Sequence, residues 1–240
     1  MNKDMNEFLR KLCEKYGVPC GKIFPKDSRW AVELPSGECA ALLPQRVERR
    51  FVELKKLVDT STLEDVSTLR FANFQAGGTL KDVLARELDL AAFLAESPIV
   101  SLFATGDAAT VCNTIVRFQD GKSGCLECGT ALPESQKSMD RHELIARRGV
   151  ASDRAVDTQV PQDSIYLWTS NGNETYTDTD LELYGLPDGE ITVVRAAFAL
   201  LKQPALAAEW NRAAETADKL SALALRSAET SSFFSGKEIC

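Results

Sequence analysis

The chain is poor in rings: its 240 residues include one histidine and three tryptophans, and aromatic residues make up only 8%. So few stacking surfaces give no platform for single-stranded nucleic acid. A basic excess is missing too, since 28 Lys and Arg face 35 Asp and Glu for a formal charge of −7. That balance repels a polyanion rather than gathering it, so no nucleic-acid partner is expected. Long apolar runs are absent: Leu88 to Leu94 and Ala196 to Leu201 fall far short of the roughly 20 residues that cross a bilayer. No membrane partner follows from them. The opening residues mix charges instead of forming an apolar signal segment, and a cytoplasmic location is the expectation.

Glycine and proline, at 14 and 9, lie within ordinary globular usage, and a hydrophobic share of 44% is enough for a packed core. The seven cysteines are odd in number and scattered, which fits reduced thiols better than a disulfide framework. Cys125-x-x-Cys128 has no second pair, and Cys112 and His142 lie at no recognised ligand spacing from it. No metal is expected. Alternation sends Cys125 and Cys128 to opposite faces of a strand, as ordinary buried thiols.

Apolar residues at three- and four-residue spacing predict a helix over 5–16, stopped by Gly17. Two short apolar runs around Pro35-Ser36-Gly37 predict a hairpin between Arg29 and Leu43, and a second helix is expected from Pro44 through Val58. Val66 to Phe74 alternates as a strand. Gly77-Gly78 opens an amphipathic helix that ends before Pro98, and strands follow at Ile99 to Ala104, Thr110 to Phe118 and Gly124 to Ala131, with Asp120-Gly121 as a turn. Further strands are predicted at Ser164 to Thr169, Leu181 to Tyr184 and Glu190 to Arg195, with a loop at Asn171-Gly172-Asn173. An Ala-rich helix is expected over 205–230, and 231–240 reads as a frayed tail. Consecutive strands flanked by helices indicate an α+β fold.

Four stretches carry a resemblance. They are Glu7 to Val18, Glu48-Arg49-Arg50-Phe51 with the helix to Asp59, Gly77-Gly78 through Leu94, and Ala222 to Thr230. In this order the chain resembles the glucose-fructose oxidoreductase / inositol dehydrogenase (Gfo/Idh/MocA) family, chiefly its C-terminal domain. The resemblance implies a large, mostly antiparallel sheet with helices on one face and the other face available for oligomerisation. It divides the chain into a remnant of the nucleotide-binding half over 1–45, a substrate and oligomerisation domain over 46–230, and the tail.

The resemblance places a catalytic Asp at Asp82. Four residues on, where the family has a histidine to take the hydroxyl proton as hydride leaves, stands Arg86. A guanidinium stays charged at physiological pH and can hold a carboxylate or phosphate but not accept a proton. Asp82 and Arg86 therefore read either as a helix-surface ion pair or as a retained polar pocket for an anion. Arg49 and Arg50 read as junction residues or as further anion ligands, and Trp168 as core or as the border of a ligand cleft.

A dinucleotide site needs a strand, a Gly-rich turn and a helix N-terminus, and nothing here reads Gly-x-Gly-x-x-Gly. No cofactor is expected on this chain, and a homologue inactive alone is the leading reading. A small-molecule ligand and a homo-oligomer or a full-length homologue are the expected partners. The rivals are an active NAD(P)-dependent oxidoreductase on a sugar or polyol and a non-catalytic binding protein for an acidic metabolite.

Overall fold

The computed structural model describes residues 4–147, 149–153, 165–169, 172–176, 181–183 and 185–239. Two compact units divide the chain: residues 1–47 with 155–211, and residues 48–154 with 212–240. Residues 155–211 therefore group with the opening segment, not with the middle of the chain as the expected 46–230 domain would have them.

In the first unit, α1 (Met5–Tyr16) is capped at its start by the Asp4 carboxylate, and Gly17 ends it in the left-handed region at φ 64°, where a glycine meets no Cβ penalty. The Asn6 side chain brackets Ile23, accepting from its amide at 2.7 Å and donating to its carbonyl at 3.0 Å. This ties α1 to a three-stranded antiparallel meander, β1 (Lys22–Lys26), β2 (Arg29–Glu33) and β3 (Cys39–Ala41). All its pairings are antiparallel, so among the described residues up to 45 there is no parallel strand pair of the kind a phosphate-cradling β-α-β crossover requires.

The second unit is built on a seven-stranded sheet. Its strands are β4 (Val66–Phe74), β5 (Ile99–Thr105), β6 (Val111–Phe118), β7 (Ser123–Gly129), β8 (Met139–Ala146), β9 (Gly149–Ser152) and β12 (Phe234–Ser235). They lie in the order β12-β5-β6-β7-β4-β8-β9, and every pairing is antiparallel except β4 with β7. The α+β class and the mostly antiparallel sheet are as the sequence predicts. The parallel pair exists because β4 is followed by α3 (Leu80–Ala95), which crosses the sheet before the β5-β6-β7 meander returns to β4's other side.

α3 and α2 (Arg49–Asp59) lie with the apolar core on one face of this sheet, where Phe51, Leu84, Leu88, Leu94, Leu102 and Leu126 are fully buried. Removing side chains of that size from water contributes roughly 1.5–3 kcal/mol each before the ordering cost. Thr79 caps α3, its hydroxyl accepting from the Asp82 amide at 3.1 Å and donating to the Asp82 carboxylate at 2.5 Å. Gly77 and Gly78 precede it at φ 72° and 80°, conformations that favour glycine.

Several expectations are corrected. Glu190 to Arg195 is helical, inside α4 (Asp188–Lys202), and Leu181–Leu183 forms a 3-10 turn; Tyr184 lies outside the described residues. The predicted loop at Asn171-Gly172-Asn173 is in part strand: β11 (Gly172–Tyr176) pairs with β10 (Ile165–Thr169), and Asn171 lies outside the described residues. The helix expected from Pro44 begins as a 3-10 turn, Pro44–Arg46, before α2. The tail is no frayed end, because β12 pairs with β5 and Ile239 is buried. β1, β8 and β9 escaped the sequence reading. The C-terminal helix is α5 (Ala207–Thr230), and none of the described helices is by itself long and apolar enough to cross a membrane.

Candidate functional site

Glu87 is the irregularity from which the site is built. It lies on α3 between Leu84 and Leu88, on the stripe that faces the sheet, and is 0% exposed. A carboxylate in that position costs several kcal/mol unless it is paired and hydrogen-bonded. Its partners come from three directions. Asn73 of β4 donates to one oxygen at 2.7 Å, the Arg86 guanidinium binds the same oxygen, and Nε2 of His142 on β8 lies 2.9 Å from the other.

His142 is also 0% exposed, and Phe51 and Phe71 meet its ring edge-on, with centroids 4.6 and 4.7 Å away. Its Nδ1 lies 2.6 Å from Asp153, just after β9, and the other Asp153 oxygen accepts from the His142 amide at 2.7 Å. Both ring nitrogens are thus occupied by carboxylates. Burial disfavours a charged ring, but its hydrogen bonds to Asp153 and Glu87 and the charges of Glu87 and Asp140 outweigh it and raise the imidazole to about 9. The ring is a cation at neutral pH.

Two guanidiniums close the cluster. Arg86 reaches Glu48 at 3.2 Å and both oxygens of Asp140 at 3.3 and 3.4 Å. Arg50, on the first turn of α2, binds Glu48 through Nε at 3.0 Å and Nη2 at 2.8 Å, and Asp153 through Nη1 at 3.0 Å, and it touches Asp140 as well. Its Cζ sits 4.3 Å from the centroid of the Phe51 ring, in the position of a cation–π contact. Glu48 occupies the N-cap of α2, yet its side chain caps nothing and is given over to the two arginines. Burial pushes the Glu87 carboxyl up, and the Arg86 charge with the bonds from His142 and Asn73 more than reverses this, to about 2. Asp153 is likewise held below the usual carboxylate range: burial raises it, and His142 and Arg50 overcome that.

Four carboxylates therefore face three cations in one cluster that joins α2, α3, β4, β8 and the end of β9. Chemically it is saturated. Arginine cannot accept a proton, and His142 has no ring nitrogen left to offer a substrate. Glu87, Asp140 and His142 bring donor atoms within 4.8 Å of one another, a spacing that suits a divalent cation. The guanidiniums, however, already supply positive charge to those carboxylates, so a metal would have to displace them.

The sequence-predicted residues separate accordingly. Arg86 and Arg50 come together in the cluster. Asp82 does not: it serves the N-terminus of α3 through Thr79 and makes no ion pair with Arg86. Arg49 is exposed on α2 and stands outside the cluster. Trp168 is in β10, in register with Asn173 of β11, and its side-chain surroundings lie outside the described residues.

Glu48, Asn73, Glu87, Asp140 and Asp153 went unread. One signal for them was available, a glutamate at 87 on the apolar stripe of a helix. Cys125 faces away from the helices, half-buried, while Cys128 is buried beneath them opposite Cys112, as alternation predicts, and burial raises both Cys125 and Cys128.

No protein-family model matches the chain, and no curated protein matches its sequence. Solved structures do match its fold. Scyllo-inositol dehydrogenase from Lactobacillus casei, solved with NAD(H) and scyllo-inositol, aligns with a TM-score of 0.58 at 14% identity over 80% of this chain and 63% of that one. Myo-inositol 2-dehydrogenase from Lactobacillus plantarum gives 0.57 at 11% identity over the same shares. A myo-inositol dehydrogenase from Corynebacterium glutamicum gives 0.57 at 14%, again covering 80% and 63%. The chain spans less than two thirds of the length of these structures, and at such identities the likeness is one of fold. The neighbours are inositol dehydrogenases, the type that the four sequence stretches resemble.

Proposed function

We propose that this chain is a divergent relative of sugar and inositol dehydrogenases of the Gfo/Idh/MocA type that keeps the sheet-based substrate and oligomerisation half and carries out no hydride transfer by itself. The observation that carries this reading is the saturated cluster. Where the family helix presents a base, Arg86 is held by Glu87, Glu48 and Asp140, and the single histidine is clamped between Glu87 and Asp153. The antiparallel meander of the opening segment supports the absence of independent cofactor binding.

The face of the large sheet away from the helices is the proposed oligomer surface, taken by a second copy or by a full-length homologue. Ile115 and Val150 are 58% and 60% exposed there. Arg70, Ala72, Glu127, Arg141 and Glu143 line a shallow depression of about 200 Å³ on it, and its four charged side chains pair with no other described residue. Unpaired charges of both signs suit a self-complementary contact.

Calorimetric titration of the full chain with NAD and with NADP tests the reading. No binding up to millimolar cofactor is expected, and no oxidation of inositols or sugars when both are present. Micromolar binding would overturn it in favour of the second reading, an active NAD(P)-dependent oxidoreductase on a sugar or polyol, which the neighbour solved with NAD(H) and scyllo-inositol favours. Capture of an acidic metabolite by Arg50 and Arg86 would require the ligand to displace carboxylates already seated on them.

A further inference from the structure

The register of β7, β4 and β8 sets the charges of the open sheet face in a grid. Arg70 lies between Cys125 and Glu143; two residues on, Ala72 lies between Glu127 and Arg141. Alternation sends all six to the face away from the helices. Neighbouring strands are about 4.8 Å apart, and the two rows are separated by two steps of about 3.3 Å. Arg70 and Glu143 are direct cross-strand neighbours, yet among the described residues neither they nor Glu127 and Arg141 have an ion-pair partner.

Ala72 is the short side chain amid those that line the depression of about 200 Å³. Phe74, next along the strand, turns away from it: its ring lies over Gly129, where a Cβ would stand 2.6 Å from Phe74 Cδ1. The chain as a whole carries −7, so two copies repel unless they meet where charge is locally balanced. The grid is such a place, with two positive and two negative side chains around an unfilled centre.

Only some ways of laying this face on itself match its charges. A two-fold axis running along β4 sets Glu127 against Arg141 twice, but it also sets Arg70 against Arg70. An axis across the strands, midway between the two rows, lays each row over the other. Arg141 of each copy then faces Glu143 of the other. Each Arg70 comes down over the other copy's Ala72, one strand away from Glu127. Eight charges form four pairs, and no like charges are opposed.

We propose that two copies of this chain pack face to face about that second axis, with β4 antiparallel to its counterpart and the Arg70 side chain of each filling the depression over Ala72 of the other. The arrangement rests on the reading of this face as an oligomer surface and commits its occupant to a second copy. Matched charges on an isologous interface fix its register, and reversing one of them sets like charges together twice by symmetry.

Native mass spectrometry of the full chain, of Arg141→Glu and of Glu143→Arg tests the arrangement. Wild type is expected as a dimer, and each variant alone as a monomer, with a dissociation constant raised by about a hundredfold or more. An equimolar mixture of the two variants is expected to give a dimer of one copy of each, told apart by mass, because every reversed charge then meets its opposite. The double variant Arg141→Glu/Glu143→Arg is expected to dimerise with itself, and it serves if either single variant does not fold. A monomeric wild type would remove the oligomer surface and the arrangement with it. A wild-type dimer that persists in both single variants, or variants that stay monomeric when mixed, would overturn the arrangement while leaving the surface in place.

Discussion

The two faces of the seven-stranded sheet carry similar charges and treat them in opposite ways. Along β8, Asp140 and His142 point to the helices while Arg141 and Glu143, the alternate residues, point away. On the covered face every charge of the cluster has two or more partners. On the open face Arg70, Glu127, Arg141 and Glu143 have none among the described residues. The difference shows that residue type alone does not mark a site. Enclosure forces charges into a closed set that fastens helices to strands, and exposure leaves them for solvent or for another molecule.

The contrast breaks first at Glu87. Glu87→Ala leaves Arg86 and His142 buried without their counter-charge, and a loss of about 3–5 kcal/mol in urea unfolding is expected. Next comes pH. His142 is raised in the folded state, so its contribution is fully present below about pH 6.5 and disappears as pH climbs through 9. By the size of the shift that is about 3 kcal/mol.

Glu87 and Asp153 are depressed, so theirs is present above the usual carboxylate range and is lost on acidification, for Glu87 as pH falls toward 2. For these three groups stability is greatest between about pH 4.5 and 6.5, and His142→Gln is expected to flatten the alkaline limb in a series of unfolding curves. Thr79→Ala, which removes the cap that Asp82 completes, is expected to cost about 1 kcal/mol. On the open face Arg141→Ala is expected to change unfolding free energy by less than about 0.5 kcal/mol while lowering the mass seen in native mass spectrometry. A monomer in both proteins would remove the proposed oligomer surface.

Much of the fold was legible because periodicity follows burial. α1, β4, α3 and the β5-β6-β7 meander each bury one regular face, and their spacing could be read directly. α4 was misread because Ile191-Thr192-Val193-Val194 has the branched side chains of a strand, whereas burial continues at Ala197, Leu200 and Leu201 in helical steps. β8 was missed for the converse reason: Met-Asp-Arg-His-Glu lacks an apolar alternation, since its inward residues are charged and find partners only through the tertiary fold.

The site was legible in halves. Arg86 and Arg50 were picked out from the resemblance, but as anion ligands, and their actual partners lie up to 103 positions away in the chain. Asp82 was chosen by family position, and nothing local distinguishes a catalytic carboxylate from a helix cap. Glu87 was the readable signal, a charge on an apolar stripe.

The chain has a single histidine, so the imidazole Hε1 proton resonance followed against pH reports His142 alone. If the cluster is a closed structural lock, that resonance titrates near 9, with the ring charged throughout the neutral range. A midpoint at or below the ordinary histidine value of about 6.5 would mean a ring free to exchange protons with a substrate, and would contradict the account.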